Sequence, residues 1–291
     1  MIEPSLLGLA SRRYRYAFVT DLTQVPQLDL PIVADVDDPQ FERDVELLKQ
    51  GRVVAYVATD EYTARRLESL GLERPWHVIP QGAPLDKLDR ALVDSIRRQK
   101  RGRARLVAGF VSAFLLLPGD RGGDNPLYEI SHLLELWDEV VARIPGACLW
   151  LVGRPSARVR GRLRGREDVL LLGALPRAEL FAHVANFDVA LYPRQPPDDG
   201  VRRVKTAEYL AAGVPVVSYD YRSVSDIKEA GAGLLVDSPR AFVAAVESLA
   251  RDDALRAQLA ERARAAGAER DWRVLATRYA AILDEHLPPV H

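Results

Sequence analysis

The chain has 291 residues, 48% of them hydrophobic, and a formal net charge of -1. That is enough to bury a substantial core in one large domain or two modest ones, and nothing global points to nucleic acid as a partner. Cys148 is the only cysteine, which excludes a disulfide framework and a cysteine zinc site and fits a cytoplasmic compartment. Residues 1–10 lack the regions of a signal peptide, and the longest apolar stretch, residues 106–117, is too short to span a bilayer.

Short β-branched runs alternate with helical patterns. Strands are expected at residues 16–20, 31–36, 53–59 and 76–80, then at 106–111, 147–152, 168–172, 188–192, 214–219 and 233–236. Most are apolar on both faces, as buried parallel strands are. Helical segments between nearly all of them make this an α/β, doubly wound plan. One helix carries the stripe Ile130, Leu133, Leu134, Trp137, Val141 and Ile144, with Asn125 as its expected cap and Pro126 at its first position. Ser238-Pro239 should start another, followed by Phe242, Val246 and Leu249. The last helix shows Trp272, Leu275, Ala276, Tyr279, Ile282 and Leu283, with Asp271 before it.

A domain boundary is expected near residues 95–103, where polar and basic residues replace the apolar pattern. This gives an N-terminal domain over 1–100, a C-terminal domain over 101–270 and a closing helix over 271–291. The second domain then has about six strands, a complete nucleotide-binding sheet, and the first only about four, so it reads as incomplete. Two basic clusters stand out. Residues 97–105 carry six cations in nine positions, and residues 154–166 six in thirteen. They read either as a solvated linker and loop or as attraction to phosphates or an anionic membrane surface.

In open parallel sheets, ligands bind at the carboxyl ends of the strands. After the strand at 188–192 comes a Pro-rich loop ending in Arg202, Arg203 and Lys205, which enters a helix that stops at Gly213. Cations before a helix N-terminus suit a diphosphate. Glu208, placed near the first turn, could accept hydrogen bonds from both hydroxyls of a ribose; it could equally be an ordinary helix residue. After the strand at 106–111 lies a loop with Gly119, Arg121, Gly122 and Gly123, where the backbone can approach a ligand. After the strand at 31–36, Asp35, Asp37 and Asp38 cluster. They read as a metal site, a haloacid-dehalogenase-like phosphatase nucleophile (a motif that wants Thr where Pro39 stands), a polar lip, or a helix cap. His77, His132, His183, His286 and His291 show no ligand spacing with one another, so no histidine metal site is expected.

The run from Val204 to Val217, VKTAEYLAAGVPVV, resembles the donor-site signature of GT-B retaining glycosyltransferases of the family-four type. Trp76-His77-Val78-Ile79-Pro80-Gln81-Gly82-Ala83 is similar to the segment closing their first domain. Ala232 to Asp237 is similar to their carboxyl end, and Asp271-Trp272 with the final helix to the helix crossing back to the first domain.

The resemblance implies two Rossmann-like domains facing a cleft, the N-terminal one incomplete. It implies transfer of a hexosyl group from a nucleotide-diphosphate sugar, such as a UDP-sugar, to a glycan, lipid-linked or small-molecule acceptor, without metal or other cofactor. Glu208 would hold the ribose. Lys205 with Arg202 or Arg203 would neutralise the leaving diphosphate. Ser112, Ala113 and Arg121 would lie near the phosphates, and Gly153, Arg154 and Leu175 near the base. Asp37 and Asp38 fall where the family often places a catalytic residue.

The sequence departs from the family at Gly200, where a second glutamate eight before Glu208 is frequent, and at Ser112-Ala113, where glycine is usual. The family's first strands and glycine-rich loop have no counterpart before Ser11. Three readings result. One is an active transferase, with peripheral membrane contact or a partner chain completing the first domain. Another is a degenerate transferase that binds a nucleotide or a partner. The third is a phosphatase using Asp35 and Asp37.

Overall fold

The computed structural model describes residues 14–85, 88–102, 104–123, 125, 127–194 and 200–287. These form two compact units. Of the described residues, one comprises 14–81, 200–202 and 272–287, the other those between 82 and 194 and 203–271.

The first unit holds a parallel sheet of β1 (Ala17–Val19), β2 (Ile32–Val36), β3 (Val53–Ala58) and β4 (Trp76–Val78), in that spatial order. Between them run α1 (Phe41–Gln50) and α2 (Glu61–Ser69). Asp60 starts α2 by accepting the Thr63 N–H at 2.7 Å, an N-cap. Alternation along β2 decides what each face packs on. Ile32, Ala34 and Val36 point to the core with Val45, Leu48 and Leu67. Val33 points the other way, to Leu275 and Ile282 of the last helix, Trp272–His286. Asp35 shares the face of Val33, and its carboxylate accepts the Tyr279 hydroxyl of that helix at 3.1 Å. Trp272, expected on the apolar stripe, is instead exposed.

The second unit opens with α3 (Arg90–Ile96), continued as a π-helical turn over Arg97–Arg101. It then alternates β5 (Leu106–Leu115), α4 (Ser131–Arg143), β6 (Ala147–Pro155), α5 (Ala157–Arg162), β7 (Val169–Gly173), α6 (Arg177–Val184), β8 (Val189–Tyr192), α7 (Val204–Ala211), β9 (Val216–Tyr219), α8 (Ser225–Ala230) and β10 (Gly233–Val236). Two further helices follow, α9 (Pro239–Arg251) and α10 (Asp253–Ala268), and the last helix, of the first unit, is α11. The sheet order is β10-β9-β8-β5-β6-β7, parallel throughout, which is the doubly wound Rossmann order. β5 lies between β6 and β8, so the order reverses at its edge with β8.

Several expectations change. The units divide at residues 81 and 82 rather than at 95–103, because Val93 and Ile96 of α3 are buried in the second unit's core with Leu106 and Phe187. Residues 97–100 are exposed, as a solvated segment would be, but they continue a helix, and Arg101 is engaged. Arg101 donates to both oxygens of Asp188 at 2.8 and 2.6 Å, and Asp188 also accepts the Val107 N–H at 2.7 Å. α4 starts at Ser131, and Asn125 caps no helix. Its side chain accepts the Leu127 N–H at 2.9 Å in a preceding turn; Pro126 lies outside the described residues. Val140 and Leu136, rather than Val141, complete the buried stripe. Ser238 does cap α9, and Pro239 is its first residue. Cys148 is half-buried beside the start of β6.

Candidate functional site

A reversal of strand order leaves a crevice at the carboxyl ends of the two strands beside it. Here those ends are Val111 to Ala113 on β5 and Tyr192-Pro193 after β8. A cavity of about 430 Å³ opens at this edge of the sheet. Its lining includes Ser112 and Ala113 from β5, Gly153 from β6, Leu175 and Arg177 after β7, and Lys205 and Glu208 from α7. The sequence had placed six of these seven at one site.

Gly153 is fixed by geometry. Its φ is +146°, and a Cβ there would come within 2.3 Å of the Ser112 carbonyl oxygen. Only a residue without a side chain lets β6 run that close to β5 beneath the cavity floor. Tyr209, fully buried on α7, accepts the Val111 N–H at 3.1 Å and ties the helix to the end of β5. The Thr206 hydroxyl lies 2.7 Å from both the Arg203 carbonyl and the Asp226 carboxylate, which anchors the other side of α7. Its N-cap residue, Arg203, makes no side-chain cap to this helix, although the Thr206 N–H donates to the Arg203 carbonyl at 3.1 Å.

The charges at the cavity are confined. Lys205 is partly covered, yet its ammonium sits deep, 5.4 Å from the ring centres of both Phe110 and Tyr192. Burial, then the neighbouring Arg194 and Arg203, depress its pKa to about 8, with Glu208 opposing. Glu208 stands in the second turn of α7 rather than the first, and it is buried. Burial raises its pKa, against the pull of Arg177 and Lys205. Arg177 holds one Glu208 oxygen at 3.1 Å. The cavity thus holds a carboxyl with a raised pKa beside an ammonium with a depressed one, both shifted mainly by burial.

Lys205 also lines a second, smaller cavity with Phe110, Glu129, His132, Tyr192 and Arg194. The His132 ring stacks on Tyr219 and its Nε2 lies 2.8 Å from that hydroxyl.

Other expected residues lie elsewhere. Arg121, Arg154 and Arg203 are not among the described residues lining the larger cavity. Arg121 is exposed in a turn, and Arg154 is exposed over the Phe114 ring at 5.7 Å. Arg202 belongs to the first unit, where its Nε lies 3.7 Å from Asp60. Arg177 was missed by the sequence reading. Its signal was available, since it follows the carboxyl end of β7 just as Lys205 follows β8.

Asp37 and Asp38 line a separate hollow of the first unit, about 310 Å³, with Asp35, Arg43 and Asp44. The Gln81 amide donates to Asp37. Burial raises the Asp37 pKa, the Gln81 bond opposes this, and Asp38 adds to it. Asp35 is pushed up to about 6, mainly by burial. No helix of the described residues is long and apolar enough to cross a membrane.

No curated protein matches the sequence significantly. Among solved structures, Anabaena Alr3699/HepE in complex with UDP superposes with a TM-score of 0.75 at 16% identity, covering 97% of this chain and 82% of that one. Sucrose-phosphate synthase from Thermosynechococcus elongatus gives 0.70 at 15% identity, over 95% and 74%. An α,α-trehalose 6-phosphate synthase from Burkholderia multivorans gives 0.69 at 15% identity, over 97% and 73%. Residues 124–252, which carry β6 to β10 and α7, match the family model described as Glycosyl transferases group 1. The fold is that of the GT-B glycosyltransferases, with two Rossmann-like parallel-sheet units.

Proposed function

We propose that this chain is a glycosyltransferase that uses a nucleotide-diphosphate sugar, with its donor held in the cavity at Lys205 and Glu208. The observation that carries this reading is the charge arrangement at the end of β5 and α7. One buried carboxylate and two cations meet there at a helix N-terminus whose N-cap residue makes no side-chain cap. Glu208 suits a ribose, because a carboxylate can accept from two vicinal hydroxyls at once. Lys205 and Arg177 suit the diphosphate. The charge that appears on it as the glycosidic bond breaks is stabilised best by cations fixed in advance in a partly desolvated site. HepE was solved with UDP and with UDP-glucose, and this supports a uridine donor here.

The finer reading is a hexosyl transfer with retention of configuration, without a metal, to a glycan, lipid-linked or small-molecule acceptor, in the cytoplasm. Asp37 and Asp38 would be the carboxylates of the first unit available to it. Burial raises the Asp37 pKa, the direction that suits a carboxyl taking part in proton exchange. The phosphatase reading has less support, since Asp35 is engaged by Tyr279 and Asp37 by Gln81.

A second reading is a nucleotide-binding module that does no transfer, and Gly200 favours it. Its φ is +75°, so a glutamate there would be strained and the frequent second carboxylate is absent. Incubation with UDP-glucose and other nucleotide sugars, followed by product analysis, separates the two. Release of UDP, with the α-anomer formed, supports the first. Tight binding without turnover supports the second.

A further inference from the structure

Two histidines 209 residues apart meet on the first unit. His77, on edge strand β4, and His286, at the end of α11, bring their Nε2 atoms to 2.7 Å, with ring centres 4.9 Å apart. Both are half-buried, and the neighbouring Glu285 reaches within 3.7 Å of the His286 Nε2 from a largely exposed position. One ligand atom from each of the three residues lies within 4.8 Å of the others.

Two neutral imidazole nitrogens cannot simply face each other. Either one carries a proton and donates to the other, or both lone pairs point at a cation. Zinc takes imidazole nitrogen at roughly 2.0–2.1 Å, which sets two ligands of a tetrahedral site about 3.3 Å apart. Opening the present contact by ~0.6 Å reaches that spacing, a shift side-chain torsions can supply. A carboxylate completes the common two-histidine, one-carboxylate set, and the exposed side leaves a fourth position for water.

We propose that His77, His286 and Glu285 form a binding site for a divalent cation of the zinc class, which clips the carboxyl end of α11 to β4. Helix ends fray, and α11 closes one face of the first unit's sheet through Leu275 and Ile282, with Leu287 just beyond its end. A cation at this place bonds the frayed end to the sheet edge. It lies in a different unit from the cavity at Lys205 and has no part in the donor chemistry.

The test uses the full chain, free of any histidine tag and stripped with chelator. Zinc chloride alone is titrated into it by calorimetry at pH 7.5, and into H77Q, H286Q and E285Q. The site predicts one equivalent bound, with affinity at least ~10-fold lower in H77Q and H286Q and a smaller loss in E285Q. It also predicts a thermal midpoint that rises with zinc in the wild type and not in H77Q or H286Q. Should those variants fail to fold, cobalt(II) on the wild type decides. Intense visible bands of a four-coordinate, imidazole-bound ion support the clip. Absence of a stoichiometric site, equal zinc affinity in the folded variants, or only the weak spectrum of hydrated cobalt would overturn it.

Discussion

Arg177 Nη2 sits 3.1 Å from Glu208 Oε1, so the carboxylate proposed to hold a ribose is already held by a cation. Arg177 is more than half exposed, whereas Glu208 is buried. In R177A the carboxylate keeps its burial and loses its first opposing charge, which moves its pKa further upward. Ribose binding needs the ionised form. The affinity for UDP therefore falls as pH drops through the Glu208 pKa, and in R177A that fall begins at a higher pH. Calorimetry between about pH 4.5 and 8 reads the displacement, taking the ordinary glutamate range as its lower end. An acidic limb that does not move contradicts the pairing.

Lys205 sets function against stability. Its folded pKa of about 8 lies below the ordinary value of 10.5, so between these the native state gives up its proton first while the unfolded chain keeps it. Stability then rises with pH across that window and is lowest, for this group, below it. In K205M the rise disappears and the midpoint of unfolding at pH 7 increases. UDP affinity and any transfer fall by ~10-fold or more, the cost of a charge-assisted contact. Urea unfolding at pH 7 and at pH 10 checks the first half; a variant less stable at pH 7 would be inconsistent with a strained, desolvated ammonium.

Tyr209 couples α7 to β5. Y209F leaves the shape intact and deprives the Val111 N–H of its hydroxyl partner. The expected loss is about 1–3 kcal/mol for a buried donor left unpaired. Chemical denaturation measures it, and a loss near zero means the bond carries no stability.

Arg101 tests the fate of the basic segment. Its guanidinium and Asp188 are mostly covered, and Asp188 also holds a backbone N–H of β5. R101A is expected to cost about 1.5–3 kcal/mol, whereas a solvated linker residue would cost almost nothing.

Much of the fold was legible because its central strands, β2, β3, β5, β6, β8 and β9, are mostly buried and read as apolar runs. All ten apolar runs, from residues 16–20 to 233–236, overlap strands of the structure, three of which (β5, β6 and β7) run past the expected end. Six of the seven cavity residues named above had been singled out, Lys205 and Glu208 from their place after a strand, Gly153 and Leu175 from the family resemblance. Three kinds of feature were not. Arg101 looks like any surface arginine until the fold supplies Asp188. Asn125 carries the chemistry of a helix cap, but the backbone spends it on a turn six residues before α4. His77 and His286 have no local relationship, and only the packing of α11 on the sheet brings them together.

The central claim is that Glu208 and Lys205 form a nucleotide-diphosphate site. Titration of UDP, and of GDP in parallel, into the wild type and E208A tests it most directly. The account predicts saturable single-site binding to the wild type by at least one of them, weakened ~10- to 100-fold in E208A. No binding of either nucleotide, or equal affinity in the two proteins, would contradict it.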